Sequence, residues 1–122
     1  MLWLQEYACN RVFGYTHSGS DYLQMLLMRL ITAIVRPFKL DELRFAVAQL
    51  GVQGMTVDEV IEFDAGARAK VEIAVADGIA EPVMEALANV ARTGRVGDGR
   101  ITVRVLEQVI RIRTGEMGEM AT

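Results

Sequence analysis

The chain has 122 residues, 52% hydrophobic and 24% charged, and its 13 basic against 16 acidic side chains leave a net charge of −3. That length suits one domain with a single core, and the mildly acidic balance gives no general attraction to nucleic acid or to an anionic membrane. Cys9 is the only cysteine and His17 the only histidine, which excludes an intrachain disulfide and a Cys/His zinc cluster. No apolar run has the length of a membrane span, and an N-terminus carrying Glu6 without a basic region does not read as a signal peptide, so a cytoplasmic location without membrane insertion is expected.

Residues 1–27 contain Trp3, Tyr7, Tyr15 and Tyr22, the only Trp and all three Tyr of the chain. Around "GYTHSGSDY" there is neither helical nor strand periodicity. The segment is expected to be an N-terminal extension, poorly ordered or upstream of a start at Met28, with the domain proper over residues 28–122.

From residue 29 to 35 a β-branched run predicts a buried strand, ended before Pro37, which cannot donate to a ladder. Leu40, Leu43, Val47 and Leu50 then repeat at helical spacing, and Gly51 stands where a C-terminal cap belongs. "MTVDEVIEF" predicts a second strand, with Met55, Val57 and Glu59 on one side and Thr56, Asp58 and Val60 on the other. "KVEIAV" predicts the third, setting Val71, Ile73 and Val75 against Lys70, Glu72 and Ala74. After Asp77, the residues Ile79, Val83, Ala86, Leu87 and Val90 predict a second helix, with Pro82 tolerable only in its first turn. Beyond the glycine-rich "RTGRVGDGRI", Ile101, Val103 and Val105 alternate with Arg100, Thr102 and Arg104 as a fourth strand. The order β-α-β-β-α-β predicts an α+β, ferredoxin-like sandwich: an antiparallel sheet with two helices on one face. A final extended piece, "QVIRIRTGE", is expected to pair at a sheet edge or with a neighbouring chain.

Two stretches carry chemistry. Gly94, Gly97 and Gly99 permit a loop whose N–H groups converge as an anion nest, although Gly-Asp-Gly also serves ordinary turns. In "VIRIRTG" a strand period places Arg111 and Arg113 on one face, roughly 7 Å apart, a spacing suited to a polyphosphate or two carboxylates, or else to a solvated edge paired with Glu107 or Glu116. With Arg100 added, the three arginines suit a nucleotide. Residues 28–122 contain no His, Cys or Tyr, and their carboxylates follow no general acid/base spacing, so an enzyme is not expected.

"MRLITAIVRPFKLDELRFAVAQLGVQGMTVDEV", "ARTGRVGDGRI" and "VIRIRTGEMGE" resemble the three signature regions of the nitrogen-regulatory PII signal-transduction proteins. The resemblance implies a trimer binding ATP or ADP in clefts between subunits. Carried over residue by residue, it places Gly97, Asp98, Gly99 and Arg100 on the phosphate-holding loop, Arg111 and Arg113 on the basic pair, and Ile34, Thr56, Glu72 and Ala74 along the adenosine. Arg100 stands where a lysine is usual.

The departure lies between the second and third strands. PII proteins carry there a long flexible loop, the arm that meets their target proteins, with a glutamine and glycines at its base that help hold Mg2+, ATP and 2-oxoglutarate; the target of this chain is not readable from its sequence. Here "IEFDAGARA", residues 61–69, is all that joins Val60 to Lys70, without a glutamine or tyrosine. Glu62 replaces a glycine at the loop base, and Arg68 stands in for the loop-end lysine that meets 2-oxoglutarate. Nucleotide binding is therefore expected more firmly than Mg2+ or 2-oxoglutarate binding. The alternatives are a structural trimer of this fold that has lost effector sensing, and a small phosphatase for which the chain offers no nucleophile.

Overall fold

The computed structural model of the chain describes residues 27–52 and 54–117. Of the expected N-terminal extension, all but Leu27 lies outside the described residues. Four strands and two helices follow in the expected order: β1 (Met28–Val35), a 3-10 turn at Pro37–Lys39, α1 (Leu40–Ala48), β2 (Thr56–Glu62), β3 (Gly66–Ala76), α2 (Asp77–Ala91) and β4 (Gly99–Leu106). The sheet order is β2-β3-β1-β4 and every neighbouring pair is antiparallel.

The period-2 pattern of the strands decides which face is covered. Register places Ile31 beside Ile73 on one side and Val103 on the other, and Ala33 beside Val71 and Ile101, so the odd-numbered residues form one apolar face. Onto that face α1 brings Leu43 and Val47, and α2 brings Val83 and Leu87, all of them buried with Ile31 and Ile73 in one cluster. Both helices therefore lie on the same side, as a ferredoxin-like sandwich requires.

The helix ends follow local chemistry. Gly51 at φ 88 lets its N–H bond the Ala48 carbonyl and lets the Val52 N–H bond that of Val47, the two bonds of a Schellman cap. The early stop leaves Leu50 outside, 39% exposed, although it shares the spacing of Leu43 and Val47. At the start of α2, Asp77 favours the positive end of the helix dipole and is held by Arg29 Nε at 2.5 Å, while its N–H bonds the Leu27 carbonyl at 3.0 Å.

Three sequence expectations need correction. Pro82 is the sixth residue of α2, one turn deeper than the sequence reading allowed; the carbonyl its missing N–H would have met belongs to exposed Gly78, open to solvent. The buried stripe of α2 is Ala80, Val83, Leu87 and Ala91, displaced from the expected one so that Ile79 faces outward. Small alanines at both ends of the stripe let the helix approach the sheet closely.

The third strand starts earlier than expected, at Gly66 and not at Lys70, while the second ends at Glu62, within the expected stretch 55–63, so little of residues 61–69 is loop. β2 and β3 continue to Glu62 and from Gly66, turning over Phe63, Asp64 and Ala65, with the Ala65 N–H bonded to the Glu62 carbonyl and Gly66 at φ 85. This hairpin overruns β1, whose last ladder pair is Val35 with Ala69. Its end presents Ile61 and Phe63, 84% and 101% exposed.

Candidate functional site

The glycine loop is built around one carboxylate. After Ala91 the chain turns extended at Arg92 and runs through Thr93–Gly97 into β4. Asp98 accepts the N–H groups of Thr93 at 2.7 Å and Gly94 at 2.9 Å, the hydroxyl of Thr93, and Arg36 Nε at 3.2 Å. Its carboxylate is thus the clasp that closes the loop.

Two arginines then fix the loop's outer turn. Arg36 Nη2 donates to the Val96 carbonyl at 3.0 Å, and Arg68 Nη2 to the Gly97 carbonyl at 3.2 Å. A trans peptide points its N–H opposite to its carbonyl, so drawing these two carbonyls onto the guanidinium groups turns the N–H groups of Gly97 and Asp98 the other way. No described residue bonds those two N–H groups. The result is a pair of backbone donors facing away from the arginine clamp, the local arrangement an anion nest needs. Gly97 is favoured by its φ of 95; a Cβ there would meet only the ends of the Arg68 and Arg36 side chains, at 3.2 and 3.4 Å, which can shift by a few tenths of an ångström.

The Thr93 hydroxyl and then the Thr93 N–H hold the Asp98 carboxyl well below the usual carboxylate range; desolvation opposes them, and the Gly94 N–H and Arg36 add smaller lowering effects. A depressed folded-state pKa means that the contribution is full above the unfolded value, about 3.9, and is lost as pH falls through the folded value. Asp98→Asn is therefore expected to be less stable than the parent at pH 7, with the gap narrowing in acid below about pH 4. Urea unfolding of both proteins at pH 7 and pH 3 checks this; a gap that widens in acid would contradict it.

The other candidate residues separate into groups. Ile34, Thr56, Glu72 and Ala74 all belong to the sheet face opposite the helices, since register sets Thr56 and Thr32 against Glu72, and Ile34 against Lys70 and Arg100. Glu72 has Lys70 Nζ at 3.9 Å. Ile34 lies next to the loop through its ladder partner Arg100, while Ala74 is four residues further along β3 than Lys70, about 13 Å away. Arg100 Nη1 donates to Glu62 Oε1 at 2.9 Å, a contact made possible because the overrunning hairpin swings across the end of β1. Gly97, Asp98, Gly99, Arg100 and Arg68 are thus brought together, with Ile34 at their border.

Arg111 and Arg113 do not stand on one face of a strand. Residues 112–114 form a turn, closed by Arg111 N–H to the Glu116 carbonyl at 2.8 Å and Gly115 N–H to the Arg111 carbonyl at 2.7 Å, with a bridge between Ile110 and Met117. Gly115 at φ 78 makes this reversal possible, which is the signal the alternating pattern of "VIRIR" concealed. Arg111 Nε lies 3.4 Å from Glu116, one of the two acidic partners named from the sequence. Arg113 is exposed and makes no hydrogen bond or ion pair among the described residues.

Arg36 and Thr93 were missed by the sequence reading. The available signal for Arg36 was its place at the carboxyl end of β1, held extended at φ −68 and ψ 135 ahead of Pro37. For Thr93 it was a hydroxyl directly before a glycine and five residues before an aspartate, a spacing open to side-chain capping.

An antiparallel ferredoxin-like sheet whose first strand, hairpin and fourth strand converge on an arginine-clamped glycine loop defines a class of small α+β domains with a preformed turn at one sheet end. The model of the nitrogen regulatory protein P-II family matches residues 28–116, and the chain belongs to that family. It is 45% identical to the nitrogen regulatory protein P-II of Rhizobium meliloti (strain 1021) over 108 residues, covering 75% of this chain and 96% of the relative. It is 40% identical to the nitrogen regulatory protein GlnK of Escherichia coli (strain K12) over 111 residues, covering 77% and 99%. Among solved structures it resembles Arabidopsis thaliana PII bound to citrate, with TM-score 0.73 and 41% identity over 77% of this chain and 88% of the other. It also resembles the B. subtilis GlnK–ATP complex, with TM-score 0.72 and 30% identity over 79% and 96%. The chain is a nitrogen-regulatory protein of the ferredoxin-like class; no helix among the described residues is long and apolar enough to cross a membrane.

Proposed function

We propose that the chain forms a cytoplasmic homotrimer that binds ATP or ADP in the clefts between subunits and signals nitrogen or energy status to a target protein through a short hairpin. The observation that carries this reading is the clamped glycine loop, with the N–H groups of Gly97 and Asp98 turned away from the arginines. Gly97, Gly99 and Arg100 hold the phosphates in this reading, and Arg111 and Arg113 arrive from the neighbouring subunit. Ile34, Thr56, Glu72 and Ala74 line the adenosine. Asp98 serves the loop through its carboxylate, which is already committed to Thr93, Gly94 and Arg36.

The similarity to a GlnK–ATP complex supports the choice of nucleotide. The shortened arm has support from the alignment with the Rhizobium meliloti protein, which runs over 108 residues yet uses only 75% of a 122-residue chain. The protein acts by binding, without a reaction of its own. Sedimentation should give a trimer, and calorimetry should detect ATP and ADP; a stable monomer that takes up neither nucleotide overturns the reading.

The short hairpin also limits what the site can couple. Cooperation between ATP and 2-oxoglutarate requires contacts that differ between the two states, and a turn over Phe63–Ala65 has little chain to supply them. Arg68, the candidate for 2-oxoglutarate, is occupied with the Gly97 and Ala67 carbonyls. Among the described residues no group of three or more His, Cys, Asp or Glu could hold a metal, so Mg2+ would come with the phosphates. Saturating 2-oxoglutarate with magnesium is expected to change ATP affinity by less than about threefold, or ~0.7 kcal/mol. Titrating ATP with and without 2-oxoglutarate checks this, and a tenfold tightening would contradict it.

A further inference from the structure

Glu62 is tied to the residue that a phosphate would need. Its carboxylate closes β2, directly opposite Gly66 at the end of the hairpin, and it accepts the Arg100 Nη1 donor at 2.9 Å. Arg100 is the second residue of β4, directly after Gly97, Asp98 and Gly99, with Ile34 as its ladder partner. The arginine side chain is 59% exposed and the glutamate 32% exposed, so the pair is accessible and partly screened, the kind of contact a more highly charged anion can replace. The hairpin has a second tie to the same loop, Arg68 to the Gly97 carbonyl.

We infer that Glu62 is a specificity-determining carboxylate: it occupies Arg100 when the loop is empty, competes with an incoming polyphosphate for that arginine, and is displaced when the polyphosphate binds. The inference rests on the phosphate-binding reading of the loop. After displacement the Glu62 carboxylate remains next to the bound anion on the hairpin end, where like charge opposes binding. Anions are therefore penalised in proportion to their charge. Displacement also removes one of the hairpin's two arginine ties, so that occupancy of the loop reaches the segment bearing exposed Ile61 and Phe63.

The test uses the whole chain and inorganic tripolyphosphate, titrated calorimetrically with a chelator present to remove divalent cations. Glu62→Gln, which keeps the shape and removes the charge, is expected to bind tripolyphosphate about tenfold more tightly than the parent. In an Arg100→Gln background the same change is expected to give less than about a twofold gain, because the arginine that both anions seek is gone. Hydrogen exchange at the amides of residues 61–66 is expected to rise when the parent binds tripolyphosphate, and to be raised already in unliganded Glu62→Gln. A Glu62→Gln protein that binds no more tightly than the parent while the parent still binds ATP overturns the competition and leaves the nucleotide reading standing. A parent that binds neither ATP nor tripolyphosphate overturns both. A gain of equal size in the Arg100→Gln background would show a general charge effect and also overturn the competition.

Discussion

Gly99→Ala is expected to destabilise the protein by more than about 4 kcal/mol, the range reserved for severe single substitutions. A Cβ on Gly99 would lie 1.7 Å from the Ile34 carbonyl oxygen and 2.9 Å from its carbon, and the residue's φ is +113. Ile34 cannot retreat, because its strand is central, paired to β3 on one side and to β4 on the other. Relief therefore requires β4 to part from β1 where the glycine loop enters the sheet, which also moves Arg100 and the loop's N–H groups. Gly94→Ala is the control: its φ is +84 but nothing lies within 4 Å of a Cβ, so only the left-handed backbone penalty of about 1–2 kcal/mol applies. Urea unfolding of the two variants measures the difference directly. Equal losses would show that the close approach to Ile34 is not what demands glycine.

Arg113→Ala is expected to weaken ATP binding about ten- to a hundredfold while leaving adenosine binding unchanged, since in the proposed site it removes a charge-assisted contact to phosphate worth roughly 1.5–3 kcal/mol. Its side chain is exposed and makes no hydrogen bond or ion pair among the described residues, so the fold itself should lose little. Arg111→Ala is expected to show the same loss with an added structural cost. Arg111 is half-buried beside Glu116, although the two backbone bonds that close its turn survive the change. Parallel titrations with ATP and adenosine, alongside thermal melts, separate the two effects. Equal weakening of nucleotide and nucleoside by Arg113→Ala would place that residue outside the phosphate site.

The sequence by itself determined the β-α-β-β-α-β order, the apolar faces of β3 and β4 and the cap at Gly51. These follow from periods of 2 and 3.6 residues and from the left-handed freedom of glycine, all of which act within a few residues. The same local logic pointed to Gly97 and Gly99, because a left-handed backbone or a tight backbone approach favours glycine wherever it occurs. It failed where two local patterns compete: "VIRIR" alternates like a strand, yet Gly115 reverses it, and "GARA" reads as part of a connection although β3 already runs from Gly66. Only the tertiary structure decided the partners of the charges. Arg36 meets Asp98, Arg100 meets Glu62 and Arg68 meets Gly97 across 62, 38 and 29 residues. An ion pair carries no periodic signature in the chain; it depends on which strand ends the sheet brings side by side and on how far the hairpin overruns β1. Register and twist fix both, and they emerge only when the whole sheet packs against its helices.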